Sequence, residues 1–386
     1  MKKLFYFAAA AVALAACAKN EVVPVNSGEN QEITFNVAPK TKGTVPSTDP
    51  SYTVPSTDSR YFNEANHFVS YAYFRTDEHL WPGTDGKIYI NAAEISFNKV
   101  ERKWKAASTY YWPKSDKSSL TFFAWSTNSD RTTLTDATVS CDSKSGISVF
   151  TYDVTKNKNV DLLVADVAAN KNANEDIYSH NGVPTLFRHK LSYLIFKVKT
   201  ATNYASAGKE FALKSIKILG VDSKGTYSQN ATATNTDGSY NTDGSWKVTD
   251  SKAAQTYFDV TDRTDPVVFG ATDIILESDN NFKGSVKQKY YLPQTIKPID
   301  VAPSSETNYT IEVVYTIKTT ETNPATSTST VTTETVTKYI KASEIYGEKW
   351  EINKKYTCTL TFSLNEIFWD PAVEEWAPGT VSSDVK

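Results

Sequence analysis

The chain has 386 residues, with 41 Lys and Arg against 44 Asp and Glu, so its formal net charge is −3. This balance excludes the strongly basic surface that nucleic-acid-binding proteins use, and no nucleic acid is expected as a partner. The chain has 22 Tyr and 18 Phe but a single Met, a composition that favours β-sheet over helix.

The first sixteen residues are predicted to be a secretory signal. Two lysines follow the initiator methionine, and the apolar stretch 4–13 is too short to span a membrane. The Leu-Ala-Ala-Cys sequence that follows resembles a bacterial lipobox, which implies cleavage before Cys17 and acylation of that cysteine. Because two or more acyl chains anchor a protein stably, we expect a lipoprotein tethered to a membrane outside the cytoplasm.

Residues 17–60 combine a polar tether, one short strand and a linker. Ile33, Phe35 and Val37 alternate with polar residues, which predicts a strand with one apolar face. The following stretch, 39–58, is dominated by Thr, Ser, Pro, Asp and Lys and offers no core material. A lone strand followed by such a linker is easily detached or cut.

From residue 61 onward, short aromatic or β-branched runs follow one another. Residues 309–317 show the pattern most clearly, since every second residue is apolar, as a half-buried antiparallel strand requires. We predict an all-β protein of two tandem antiparallel β-sandwich domains, residues 61–182 and 183–364, with a C-terminal tail over residues 365–386.

Several short segments stand out by their order and spacing: Trp104, Tyr110-Tyr111-Trp112-Pro113, Leu120–Trp125, Asp161–Ala165, Leu186–Ser192, Tyr291-Leu292-Pro293-Gln294 and Trp350–Tyr356. Together with the lipobox, they resemble the fimbrillin-like (Mfa-like) family of surface lipoproteins and type V pilus subunits. The resemblance extends over nearly the whole chain.

This resemblance implies that both sandwich domains are transthyretin-like and that subunits reach the outer membrane as surface-exposed lipoproteins. A trypsin-like protease then removes the first strand, here Ile33, Phe35 and Val37, and opens a hydrophobic groove. C-terminal strands of another subunit fill that groove, so the chain joins a fimbrium that mediates cell adhesion. The processing protease, other pilus subunits and a host protein or glycan are the partners implied.

The linker contains three basic residues where such a protease would cut: Lys40, Lys42 and Arg60. Their alternative interpretation is solvated linker charge. Because the family also contains anchors and tip subunits, the linker favours a cleaved subunit without deciding between stalk and tip.

The C-terminal tail contains the candidate donor strand. Its apolar residues are Ile367, Trp369, Val373 and Trp376, in an extended segment after the second domain should be complete. The alternative interpretation is a final strand of its own domain. Pro371 favours an edge position in either case, because proline cannot donate a ladder hydrogen bond.

No catalytic, cofactor or metal site is predicted. The four His show no metal-ligand spacing, and Cys358 alternates with apolar residues, which predicts a buried small side chain. A second hypothesis is a monomeric outer-membrane lipoprotein that binds glycan through exposed aromatics such as Trp112 and Trp125, although such residues more often pack in cores. An extracellular hydrolase has little support, so we expect no enzyme.

Overall fold

The computed structural model describes residues 31–39, 64–115, 117–127, 133–173, 182–235, 238, 240, 242–260, 266–277 and 284–375. These residues are almost entirely β-structure, which confirms the all-β prediction. Apart from two 3₁₀ turns, the described residues contain one short helix, α1 (Ala342–Tyr346). In this part of the chain, no helix has the length and apolar character needed to span a bilayer.

The strands of the first half are, in chain order, β1 (Phe35–Pro39), β2 (Phe68–Thr76), β3 (Lys87–Asn98), β4 (Lys103–Ala106), β5 (Ser118–Ser126), β6 (Thr138–Asp142), β7 (Gly146–Asp153), β8 (Leu163–Ala165), β9 (Ala168–Lys171) and β10 (Val183–His189). Those of the second half are β11 (Ser192–Thr200), β12 (Lys209–Ser228), β13 (Ser245–Asp259), β14 (Val267–Phe269), β15 (Ile274–Leu276), β16 (Tyr290–Tyr291), β17 (Gln294–Thr295), β18 (Thr310–Thr322), β19 (Ser329–Lys341), β20 (Lys349–Trp350), β21 (Lys354–Phe362) and β22 (Ile367–Glu375).

The first sheet closes on itself. Its strands pair in the order β2-β3-β4-β1-β10-β8-β5, and β5 pairs back with β2, while β9 attaches to β5 outside this ring. Side chains alternate between the two faces of the sheet. Phe122 of β5 therefore points into the core of the ring, whereas Phe123 packs into a second core on the outer face.

The second half is a two-layer arrangement around its own core. One layer contains β11 in parallel pairing with β21, and β21 pairs antiparallel with β22. The other contains β12, β18 and β19. Alternate residues of β18, among them Ile311, Val313 and Tyr315, are buried between the layers, as the period-two pattern predicts.

The long strand β12 joins the two halves. Its first part pairs with β18, and its last part pairs with β7 and β13. Side chains from both halves share the core on the outer face of the ring, including Trp125, Tyr227 and Leu292. The predicted boundary between residues 182 and 183 falls just before β10, whose partners β1 and β8 both precede it in the chain.

Candidate functional site: the first and last strands

The first strand closes the ring. β1 runs parallel to β10 from Phe35 opposite Val183, and on its other side Phe35 lies opposite Trp104 of β4. Just before β1, the Ile33 amide donates to the carbonyl of Tyr110 at 2.8 Å. The first strand therefore has a paired neighbour on each side and lies between β4 and β10 in the ring.

The apolar face of the first strand points into the ring. Ile33 and Phe35 are buried, with Phe35 only 5% exposed, and Val37 packs at the margin of the same core. The Phe35 ring meets Phe68 at 5.4 Å and Phe122 at 5.9 Å between centroids, both edge to face. Burying a side chain of this size stabilises the fold by about 1.5–3 kcal/mol, so β1 contributes to the stability of the first half.

A glycine lets β10 approach β1. Gly182 has φ of +80°, and a Cβ atom added there would lie 2.7 Å from the carbonyl carbon and oxygen of Thr34. Next to it, the Val183 amide donates to the Thr34 carbonyl at 2.7 Å. Only glycine combines this backbone conformation with so close an approach. Sequence reasoning did not find Gly182, because nothing local shows that it faces a strand so far away in the chain.

The predicted processing and lipidation residues lie outside the described residues. These are Cys17, Lys40, Lys42 and Arg60, and Trp376 of the tail is outside them as well. In the sequence, β1 ends at Pro39 and β2 begins at Phe68. All three basic linker residues therefore fall in the connection between β1 and β2.

The candidate donor residues lie on the last strand, which pairs within its own chain. β22 forms an antiparallel hairpin with β21, from Phe362 opposite Ile367 to Lys354 opposite Glu375. Ile367 is buried, whereas Trp369 is 36% and Val373 55% exposed. Among the described strands, β22 pairs with β21 alone, so it is an edge strand with an incompletely covered apolar face.

Two of the segments that carry the family resemblance meet within the first sheet. The segment Asp161–Ala165 contains β8, which pairs with β10 at the start of the segment Leu186–Ser192. Asp161 and His189 are both buried, with His189 Nδ1 at 2.6 Å from the Asp161 carboxylate. Arg188 pairs with Asp166 at 2.6 Å. These side-chain pairs link β10 to the residues that flank β8.

Lys190 directly follows β10 and lies at the junction of the two halves. Its side chain is fully buried, and Nζ donates to the Thr242 carbonyl at 2.7 Å. Burial lowers the pKa of Lys190 to about 7, with Asp243 and Asp166 opposing that effect.

The aromatic residues suggested for glycan binding are core residues. Trp112 and Trp125 are both 4% exposed, and Trp112 packs against Phe122 at 5.7 Å. The alternative that these two indoles offer an exposed sugar-stacking face is therefore wrong, because both side chains are buried. Tyr111 differs, since it is 41% exposed.

The buried position predicted for Cys358 is confirmed, and burial raises the pKa of its thiol to about 12. Within the described ranges, no group of three or more His, Cys, Asp or Glu is arranged to hold a metal ion.

The sequence profile of the fimbrillin-like family matches residues 78–376. The chain belongs to the fimbrillin-like family. No curated protein sequence matches it. The matched residues begin after β1 and β2 and include the whole of β22.

Two solved structures are similar to this chain. A fimbrial protein from Bacteroides vulgatus is similar with a TM-score of 0.52 and 16% identity, over 90% of this chain and 100% of that one. The fimbrial anchor protein Mfa2 from Porphyromonas gingivalis gives a TM-score of 0.31 and 12% identity, over 91% of this chain and 100% of that one. At 16% identity the likeness to the Bacteroides vulgatus protein shows a shared fold.

Membership of the fimbrillin-like family indicates a structural protein of the cell surface. Fimbrillin-like proteins are fimbrial and adhesive rather than enzymatic, and the family implies a fimbrial or cell-surface location.

Proposed function

We propose that this fimbrillin-like protein is the precursor of a type V pilus subunit, lipidated at Cys17 and assembled by protease-triggered strand exchange. Its fimbrium mediates cell adhesion. The observation that carries the proposal is the position of β1, which fills one place in a closed ring between β4 and β10. The linker with Lys40, Lys42 and Arg60 follows it directly in the sequence.

Removal of β1 opens the ring at that place. β4 and β10 then lose a shared neighbour, and the cover that Phe35 provides over Phe68 and Phe122 is lost. We call the resulting gap the β1 groove. It combines two unpaired strand edges with an apolar floor, which is what an extended strand from another chain needs for strand addition.

The tail supplies a strand of the right pattern. Ile367, Trp369 and Val373 share one face of β22, and Trp376 follows in the sequence. To be donated, this strand must leave β21 of its own chain. Pairing of the tail of one subunit with the β1 groove of the next is head-to-tail, so it generates a filament rather than a closed dimer. The proposal includes the division into two transthyretin-like domains, residues 61–182 and 183–364.

Limited trypsin treatment of the purified protein tests this proposal. We expect cleavage at Lys40, Lys42 or Arg60, seen by mass spectrometry, followed by a ladder of polymers on denaturing gels. The matched control replaces all three basic residues with Gln, and it should stay uncut between β1 and β2 and give no ladder on denaturing gels.

The other outcomes identify other roles. Cleavage without polymers indicates a tip subunit or a solitary surface protein, and a resistant linker indicates an anchor or an unprocessed surface lipoprotein. The hypothesis of a glycan-binding monomer has lost Trp112 and Trp125 as its contact residues, because both are buried.

A further inference from the structure

The strand β19 forms a long free edge of the sheet that contains β12 and β18. It pairs with β18 over its whole length, from Thr310 opposite Lys341 to Thr322 opposite Ser329, without a register shift. No other strand in the described part of the chain pairs with it. One row of its backbone amides and carbonyls therefore faces outward, and such a row is a template for pairing with another strand.

The usual protection of an edge is missing over most of this strand. Natural edges are shortened, bulged or interrupted by Pro and Lys. β22 has Pro371 at its middle, and β15 spans only three residues. By contrast, residues 329–337 of β19 contain neither Pro nor Lys, and all of them except the partly buried Val336 are exposed. Beyond Thr319, where β12 stops pairing with β18, the hairpin extends with both faces open.

We propose that β19 is a self-association edge, which pairs antiparallel with β19 of a second copy of this chain around a two-fold axis at Val336. This pairing makes one continuous sheet across two molecules. It involves neither β1 nor β22, so it is independent of head-to-tail assembly and provides a sideways link between subunits.

Geometry restricts the register. A two-fold axis perpendicular to the sheet keeps each side chain on its own face, and directly opposite residues must share a face. With Val336 on the axis, Glu334 lies opposite Lys338 of the second copy, and symmetry repeats the pair. Opposite charges in directly opposed positions stabilise a strand pair.

The neighbouring registers lack this complementarity. An axis at Thr335 places Glu334 opposite Val336, and an axis at Glu334 opposes two carboxylates. Lys338 donates one hydrogen bond within its own chain, to the Asn365 carbonyl at 2.8 Å. An ammonium group has three hydrogens, so two remain for Glu334 of the second copy.

Charge exchange tests the register. The purified full chain, kept in mild detergent, is measured by sedimentation velocity over a concentration series. Glu334→Lys opposes two positive charges and Lys338→Glu opposes two negative charges, so each should raise the dissociation constant of the dimer about tenfold or more. The double variant Glu334→Lys with Lys338→Glu should restore wild-type association, and a mixture of the two single variants should form the mixed dimer.

A wild-type chain that stays monomeric at every concentration would overturn the proposal. So would a dimer that neither single variant weakens, or single variants that the double variant does not rescue. Circular dichroism of each variant shows that the β-fold is retained.

Cysteine cross-linking tests the axis. In an antiparallel pair, opposed Cα atoms lie about 4.5–5.5 Å apart, which a disulfide can bridge. Val336→Cys should therefore give a covalent dimer on oxidation. Thr330→Cys is the matched control on the same strand, because its two copies would lie about 40 Å apart at 3.4 Å per residue. Equal cross-linking by the two variants, or none by Val336→Cys, would contradict the proposed register.

Discussion

The first and last of the described strands are both apolar on one face, but they pair differently with the rest of the fold. β1 has a neighbour on each side and places Phe35 in the middle of the ring core. β22 has one neighbour among the described strands and leaves Val373 more than half exposed. Removal of β1 therefore leaves a groove between two strands, whereas removal of β22 leaves β21 as a new edge and uncovers the core only around Ile367. The two strands suit the receiving and the donating role respectively.

The largest effect is expected from a charge in the ring core. Phe35→Asp removes the contacts to Phe68 and Phe122 and buries a carboxylate, so it should lower the free energy of unfolding by more than about 4 kcal/mol, or release β1. Binding of a hydrophobic dye and trypsin sensitivity report the open groove. Phe368→Asp on β22 is the matched control, since Phe368 is 50% exposed and should tolerate the charge. Equal responses of the two variants would remove the distinction between the strands.

Deletion of residues 365–386 should leave a folded protein that cannot polymerise after trypsin treatment. Loss of Ile367 from the core should cost about 2–3 kcal/mol in urea unfolding. A truncated chain that is unfolded by circular dichroism would show that β22 is indispensable to its own domain. Polymerisation of the truncated chain would show that the tail is not the donor.

A smaller effect is expected at Gly182. Gly182→Ala places a methyl group against Thr34 in a strained backbone conformation, so it should lower stability by about 1–3 kcal/mol and speed hydrogen exchange in β1. Gly270→Ala is the control, because a Cβ there meets nothing within 4 Å. Unchanged hydrogen exchange in β1 would show that the close contact between Gly182 and Thr34 does not stabilise the first strand.

The smallest effect concerns pH and the junction of the halves. The pKa of Lys190 is about 7 in the folded chain and about 10.4 in the unfolded one. Between these two pH values, the unfolded chain therefore binds a proton at Lys190 that the folded chain does not. Stability from this group therefore rises with pH above 7, by at most about 1.4 kcal/mol per unit. In Lys190→Met, the free energy of unfolding measured in urea should therefore change less with pH than in the wild type between about pH 7 and 8.5. This range lies below the ordinary titration of Cys and Tyr.

The matched control for this pH measurement is Lys297→Met, since Lys297 is exposed. It should keep the wild-type slope. An unchanged slope in Lys190→Met would show that Lys190 is charged in the folded protein.

Local patterns predicted the strands better than their partners. Alternation gave the buried face of β18 and the burial of Ile33, Phe35 and Cys358, because period two reports one covered face directly. It could not show that β1 pairs in parallel with β10, since that pairing depends on a contact between distant segments. For the same reason Gly182 and Lys190 carried no local signal.

The tail shows a different limit of sequence reasoning. An edge strand of its own domain and a strand for donation need the same alternation of Ile367, Trp369 and Val373. Only the structure shows that β22 pairs with β21 in its own chain.

The most direct test of the central claim follows the peptide that contains β1 after trypsin cuts the linker. Size-exclusion chromatography separates the polymer, the monomer and free peptides, and mass spectrometry locates residues 31–39. The account predicts that this peptide leaves the chain as polymers grow, because a donated strand takes its place in the ring. Recovery of polymers that still contain this peptide would contradict the account, because β1 would then have kept its position between β4 and β10.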